Sequence, residues 1–263
     1  MVGTSRYSFR AVVIALYVFL LAPIAIVVPL SFSANTYLAV PPTAWSLRWY
    51  GALLSHEGLM GAFRVSVALA SVVTALALVC GTPAAYALAR GTFRGRDALL
   101  ALFTAPLLLP SVILGLALLL TFSSWGLLGT YPGVVLAHLV LCTPYVVRIM
   151  TTALATLPPG IEDAAATLGA APGVVFRRVT LPMLVPAVTA SAVLSFLISF
   201  DEVVVSLFVT GPRLITLPVE IFNYVDTRTD PLIAAVSVVL VAGTLAGVVL
   251  IERAVGLRRA VGG

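Results

Sequence analysis

Charge is what this sequence has least of. Asp, Glu, Lys and Arg make up 10% of the 263 residues, while 61% are hydrophobic. Soluble domains carry roughly a quarter charged residues, so this chain cannot cover itself with a water-compatible surface. Lysine is absent altogether. That excludes a P-loop ATPase, because the Gly-rich phosphate turn must be followed by Lys, and no such Gly-rich run occurs either. The net charge of +5 is therefore carried by arginine. The arginines lie scattered between apolar runs, without the basic patch and interleaved aromatics of a nucleic-acid surface. Only two cysteines are present, Cys80 and Cys142, each inside an apolar run with no CxxC partner or nearby His pair. They read as small buried hydrophobes, neither a disulfide nor a metal site. Internal repeats, low-complexity tracts and clusters of His, Asp and Glu at helical spacing are also missing. Their absence argues against a secondary transporter built on inverted repeats and against a membrane-embedded enzyme.

What the chain does have is long apolar runs, and a span needs roughly 20 such residues to cross the hydrocarbon. Six are expected, at about residues 11–32, 63–89, 98–122, 134–154, 183–209 and 231–251, in one all-α membrane domain. Arg6 and Arg10 precede the first, as in a signal peptide, but the run is longer than a signal's 7–15 residues. It reads as a retained span, although Ser31-Phe-Ser-Ala34 follows it. The aromatics Trp45, Trp49 and Tyr50 suit a membrane–water interface. Pro106 and Pro110 should kink the third span, which then faces protein or a pathway, where freed backbone groups find partners.

Arginine placement orients the chain. With both termini in the cytoplasm, eleven of the fifteen arginines lie inside: 6, 10, 90, 94, 96, 148, 177, 178, 253, 258 and 259. Arg48, Arg64, Arg213 and Arg228 remain outside. That is the positive-inside bias, and it makes the stretch 155–182 a cytoplasmic loop. Arg148, at the inner end of its span, should snorkel to the interface.

This loop reads as two short helices. Pro158-Pro159 can open the first, Glu162 and Asp163 suit its positive end, and Ala164–Ala166 are strong helix formers. Gly169 should end it, Pro172 start the second, Arg177-Arg178 sit at that helix's negative end, and Leu181-Pro182 break it before the next span. A short alanine-faced helix with an acidic end, projecting from a membrane bundle, is suited to dock into a partner's groove.

At these residues the sequence resembles the permeases of binding-protein-dependent ABC importers. Their "EAA" loop has the form Glu-Ala-Ala, three residues, Gly, nine residues, Ile, any residue, Leu-Pro. Asp163-Ala164-Ala165, Gly169, Val179 and Leu181-Pro182 fall at that spacing, with Asp for Glu and Val for Ile. Further segments are similar to the spermidine/putrescine permeases, especially their second membrane subunit: Ser46–Tyr50, Gly81–Arg90, Pro110–Gly115, Ser199–Pro212 and Thr216–Phe222. The resemblance implies a type I importer permease fold in a bacterial inner membrane. It implies partners as well: a second homologous permease, a cytoplasmic ATPase dimer and an external binding protein. Glu162, Asp163, Ala164, Ala165, Gly169, Phe176, Leu181 and Pro182 would form the ATPase-coupling loop. ATP and Mg would belong to the ATPase, with no cofactor on this chain. The substrate implied is a polyamine such as spermidine or putrescine. A phosphonate, a metal complex or an amino-acid-like solute is the alternative within the family, and an ion-coupled secondary transporter the alternative outside it.

Asp201-Glu202 are the only adjacent acids in an apolar span. Ionisable groups at membrane depth usually face a cavity or protein interior, which makes this pair a candidate pathway or outer gate for a cation. The other reading places them at the span's outer end, solvated or paired for structure. His138 reads as a hydrogen-bonded packing residue between helices, with a proton relay as the alternative. Glu220, Asp226 and Asp230 read as solvated loop acids.

Overall fold

The computed structural model describes residues 2–158 and 160–255. Pro159 and the tail arginines Arg258 and Arg259 lie outside the described residues. Among the described residues every regular element is helical, accompanied by isolated β-bridges at Ser33–Trp45 and Gly211–Leu214. Among the described residues, four helical stretches are long and apolar enough to span a bilayer: Phe9–Ser31 within α1 (Val2–Ser31), α3 (Glu57–Arg90), α6 (Tyr131–Thr156) and Leu232–Leu250 within α13 (Leu232–Val255). Two bent helix pairs raise the number of spans to as many as six.

The break in the third run has a local cause. The third run is two segments meeting at 106°, and not one kinked helix. α4 (Arg96–Thr104) tightens into a 3₁₀ turn (Ala105–Leu108), and α5 starts afresh at Ser111 and runs to Trp125. Leu109 between them is extended, with ψ 136°. The Cδ of Pro110 disfavours the helical conformation in the residue before it, which forces the stop. The fifth run is broken twice. α8 (Pro172–Val175), a π-helical turn (Phe176–Thr180) and α9 (Leu181–Met183) form one helical segment, bent by 71° at Leu184 from α10 (Val185–Asp201). Beyond α10, Glu202 is extended, and a short α11 (Val204–Val209) follows.

Leu181-Pro182 therefore does not break the helix as the sequence suggested. Leu181 N–H bonds back to the Phe176 carbonyl, five residues earlier. That wider turn relieves the clash of the Pro182 ring with the carbonyl four residues before it, and the bend falls two residues later. α3 likewise starts before residue 63, because His56 Nδ1 accepts from Leu59 N–H (3.2 Å) and caps its first turn.

The chain forms two compact units, Met1–Met60 with Ile221–Gly247 and Gly61–Glu220 with Val248–Gly263. In the first unit α2 (Arg48–Ser55) folds back on the end of α1: Ser31 Oγ and Tyr50 OH are 2.8 Å apart, and the Phe32 and Tyr50 rings 5.3 Å. Trp45 is exposed, as an interface aromatic should be, but Trp49 is buried beneath the Arg48 guanidinium, 4.5 Å from its ring. In the second unit the core centres on α6, whose Val134, His138, Cys142, Val146, Met150 and Leu154 are buried. α10 turns Ser191, Ser195 and Ser199 to the interior at a spacing of one helical turn. Small residues permit such close approach between membrane helices. Gly115 does the same for α5, since a Cβ there would collide with the Phe208 ring of α11. Ser66 Oγ on α3 accepts from Leu217 N–H (2.7 Å), pinning the start of α12 (Leu217–Thr227), a helix that carries Glu220 and Asp226, which the sequence read as loop acids.

Candidate functional site

Leu157, extended ahead of Pro158, ends α6. α7 (Gly160–Thr167) follows with Glu162 and Asp163 in its first turn, where the helix dipole favours acids. Its end is a Schellman turn: Ala170 N–H donates to the Ala165 carbonyl (3.2 Å) and Gly169 N–H to that of Ala166 (2.9 Å). Gly169 has φ +83°, the left-handed conformation this turn requires. Asp163, Ala164, Ala166 and Thr167 are exposed, Ala165 is half-buried, and Leu168 is 90% exposed at the helix tip. Leu181 is half-buried and Pro182 exposed.

Glu162 faces the other way. Its Oε2 accepts from Arg90 Nε at 2.8 Å and its Oε1 from Thr180 Oγ1 at 2.6 Å. Arg90, the last residue of α3, also donates from Nη2 to the Leu157 carbonyl (3.2 Å). Alongside, Phe176 meets Tyr86 of α3 edge-on, with centroids 4.9 Å apart. The adjacent acids are thus divided by the fold: Glu162 is bonded within the chain and Asp163 points to solvent. Arg90, Thr180 and Tyr86 were not singled out as site residues from the sequence. The available signal was an arginine closing an apolar run, which serves equally well as a topology marker.

The second candidate, Asp201-Glu202, sits at the break between α10 and α11. Asp201 is exposed at the end of α10. Glu202 is half-buried, and its Oε1 accepts from Val205 N–H (2.8 Å), capping the first turn of α11. Buried His138 clamps the same break: Nδ1 lies 2.9 Å from Ser199 Oγ and Nε2 3.1 Å from Ser206 Oγ. Ser206 Oγ donates to the Glu202 carbonyl at 2.7 Å, so it accepts from Nε2–H, and Ser199 donates to Nδ1. A neutral imidazole satisfies every partner in that chain of bonds. His138 is a helix-bridging residue, as its isolation in an apolar span suggested. Phe200, immediately before Asp201, stacks on Phe196 (5.8 Å) and meets Phe63 edge-on (6.2 Å). Among the described residues, no group of three or more His, Cys, Asp or Glu side chains could hold a metal ion.

Known proteins agree with this architecture. The family of binding-protein-dependent transport system inner membrane components matches residues 77–256. The putrescine transport system permease protein PotI of Escherichia coli K12 is 37% identical over 89% of this chain and 86% of its own length. The spermidine/putrescine transport system permease protein PotC of Haemophilus influenzae is 34% identical over 94% of this chain and 96% of its own. The molybdenum transport system permease protein ModB of Mycobacterium bovis is 37% identical over 86% of this chain and 91% of its own. A bacterial ABC transporter that imports the acidic polysaccharide alginate shares the fold, with a TM-score of 0.72 over 97% of both chains at 17% identity. An ABC importer subunit of this kind implies ATPase and binding-protein partners and is not itself catalytic. The chain belongs to the binding-protein-dependent transport system inner membrane components, as a multi-pass permease subunit of an ABC importer.

Proposed function

We propose that this subunit passes a polyamine, such as spermidine or putrescine, into the cytoplasm, with α7 as the helix that seats in the ATPase. The observation that carries the substrate reading is the exposed Asp201 carboxylate at the end of α10, at a break in a span. The names of PotI and PotC support it. ModB supports a second reading, import of a metal complex, and the same carboxylate disfavours any negatively charged form of such a solute. α7 suits docking because its exposed side offers small residues, an acid and the free Leu168 tip. The remaining loop residues position that face: Glu162 and Phe176 anchor it to α3, Gly169 ends it, and Leu181 and Pro182 lead into α10. A second permease copy or homologue would complete the pathway.

The transporter reconstituted in proteoliposomes with its ATPase and binding protein should accumulate labelled putrescine or spermidine only when ATP is supplied. Uptake of a metal oxyanion or phosphonate with none of either polyamine would overturn the substrate reading. The arginine bias supports a cytoplasmic location for both termini and α7. Reporter fusions after Gly160 and at the C-terminus should therefore show cytoplasmic activity, and external activity at either would reverse the orientation.

A further inference from the structure

The covalent attachments of α7 are weak handles. Gly160 is its first residue and the Gly169 turn follows it, so a glycine at each end would let the helix pivot on its backbone alone. Side chains remove that freedom. Both oxygens of Glu162 are committed, one to Arg90 at the end of α3 and one to Thr180 in the π-helical turn. Arg90 is also tied to the Leu157 carbonyl at the end of α6. One turn earlier on α3, Tyr86 meets Phe176 of the same π turn. One charge-assisted cluster and one ring pair thus link α3, α6, α7 and the segment leading into α10. Both charged side chains are mostly buried, with 21% and 16% of their surface exposed, so solvent screening weakens their attraction less than at an open surface.

We propose that Arg90 and Glu162 are positioning residues, forming the joint through which a displacement of α7 reaches α3 while Asp163 is left free for the partner. This rests on the reading of α7 as the ATPase-docking helix. In this arrangement a pull on α7 moves the end of α3 directly, and the Thr180 bond passes it to the π turn ahead of α10. A pivoting α7 would still bind the ATPase but would spend its motion in the loop.

The test uses the whole transporter in proteoliposomes, measuring three quantities: ATPase co-purification, ATP hydrolysis and solute uptake. Glu162→Gln keeps an oxygen for Thr180 and removes the ion pair. Solute moved per ATP hydrolysed should fall about tenfold, a typical size for coupling between sites, while the ATPase still co-purifies. The charge reversals Arg90→Glu and Glu162→Arg should each lower that ratio, and the double variant should recover it severalfold over either alone. The joint is overturned by a wild-type ratio in Glu162→Gln, by a double variant no better than the single ones, or by loss of insertion in all of them. Loss of co-purification in Glu162→Gln overturns it too, since the pair would then serve docking itself. The docking reading fails separately, if disrupting the Gly169 turn leaves co-purification and uptake intact.

Discussion

Gly169→Val is expected to lower uptake about ten- to thirtyfold and to release the ATPase from the purified complex. The argument is one of backbone conformation and not of space. A Cβ at Gly169 meets nothing within 4 Å, so no neighbour is struck. The residue has φ +83°, however, which an L side chain adopts at a cost of roughly 1–2 kcal/mol, and which a β-branched one adopts least readily. Valine would push the chain out of the Schellman turn, removing the bonds from Ala170 N–H to the Ala165 carbonyl and from Gly169 N–H to that of Ala166. The last turn of α7 would then fray, and with it the exposed tip at Leu168. Asparagine tolerates this conformation far better, so Gly169→Asn should retain most of the uptake. Membrane insertion should survive in both variants, because the turn lies between spans and not within one. Normal uptake and normal co-purification in Gly169→Val would remove the reason for assigning docking to this helix.

That prediction was available from the sequence because its determinants are local. Proline, two acids, three alanines and a glycine in order specify a short helix and its stop, whatever the rest of the chain does. The same locality made the spans legible, since lipid requires long apolar runs. The breaks were less legible. Pro110 announced an interruption, but a proline says only that the helix is disturbed there; the 106° between α4 and α5 is set by what each helix packs against. At Glu202 there is neither Pro nor Gly, and Val203–Val209 continues the apolar run. The stop is made by tertiary bonds from His138, 61 residues from Ser199 and 68 from Ser206, together with the Glu202 cap on Val205. The Arg90–Glu162 pair joins residues 72 apart. Charge alone could not single out Glu162 over Asp163 as the bonded acid. Their positions on α7 decide it, since one faces α3 and the other faces away.

Replacing Asp201 by Asn is expected to reduce polyamine uptake about tenfold at low solute concentration, mainly by raising the apparent KM. Two unit charges 4 Å apart attract by about 1 kcal/mol in water and about 4 kcal/mol near a protein surface. Asp201 is exposed, which places it towards the lower figure and sets the size of the loss. Asn keeps the volume of Asp and its position at the end of α10, so packing should be undisturbed. Glu202 should behave differently, because the fold already uses it. Gln there still offers an oxygen to Val205 N–H, so Glu202→Gln should leave α11 in place and cost uptake no more than a few-fold, the loss of one longer-range charge. Glu202→Ala removes the cap as well, at about 1 kcal/mol, and should lower thermal stability in detergent, where Asp201→Asn does not. Asp201→Glu restores the charge one methylene further out and should regain most of the uptake lost in Asp201→Asn. Unchanged polyamine uptake in Asp201→Asn would make the acid pair a feature of the helix break alone. Collapse of expression in that variant would show Asp201 holding the bundle together, and the exposed carboxylate would then give no support to a cation pathway.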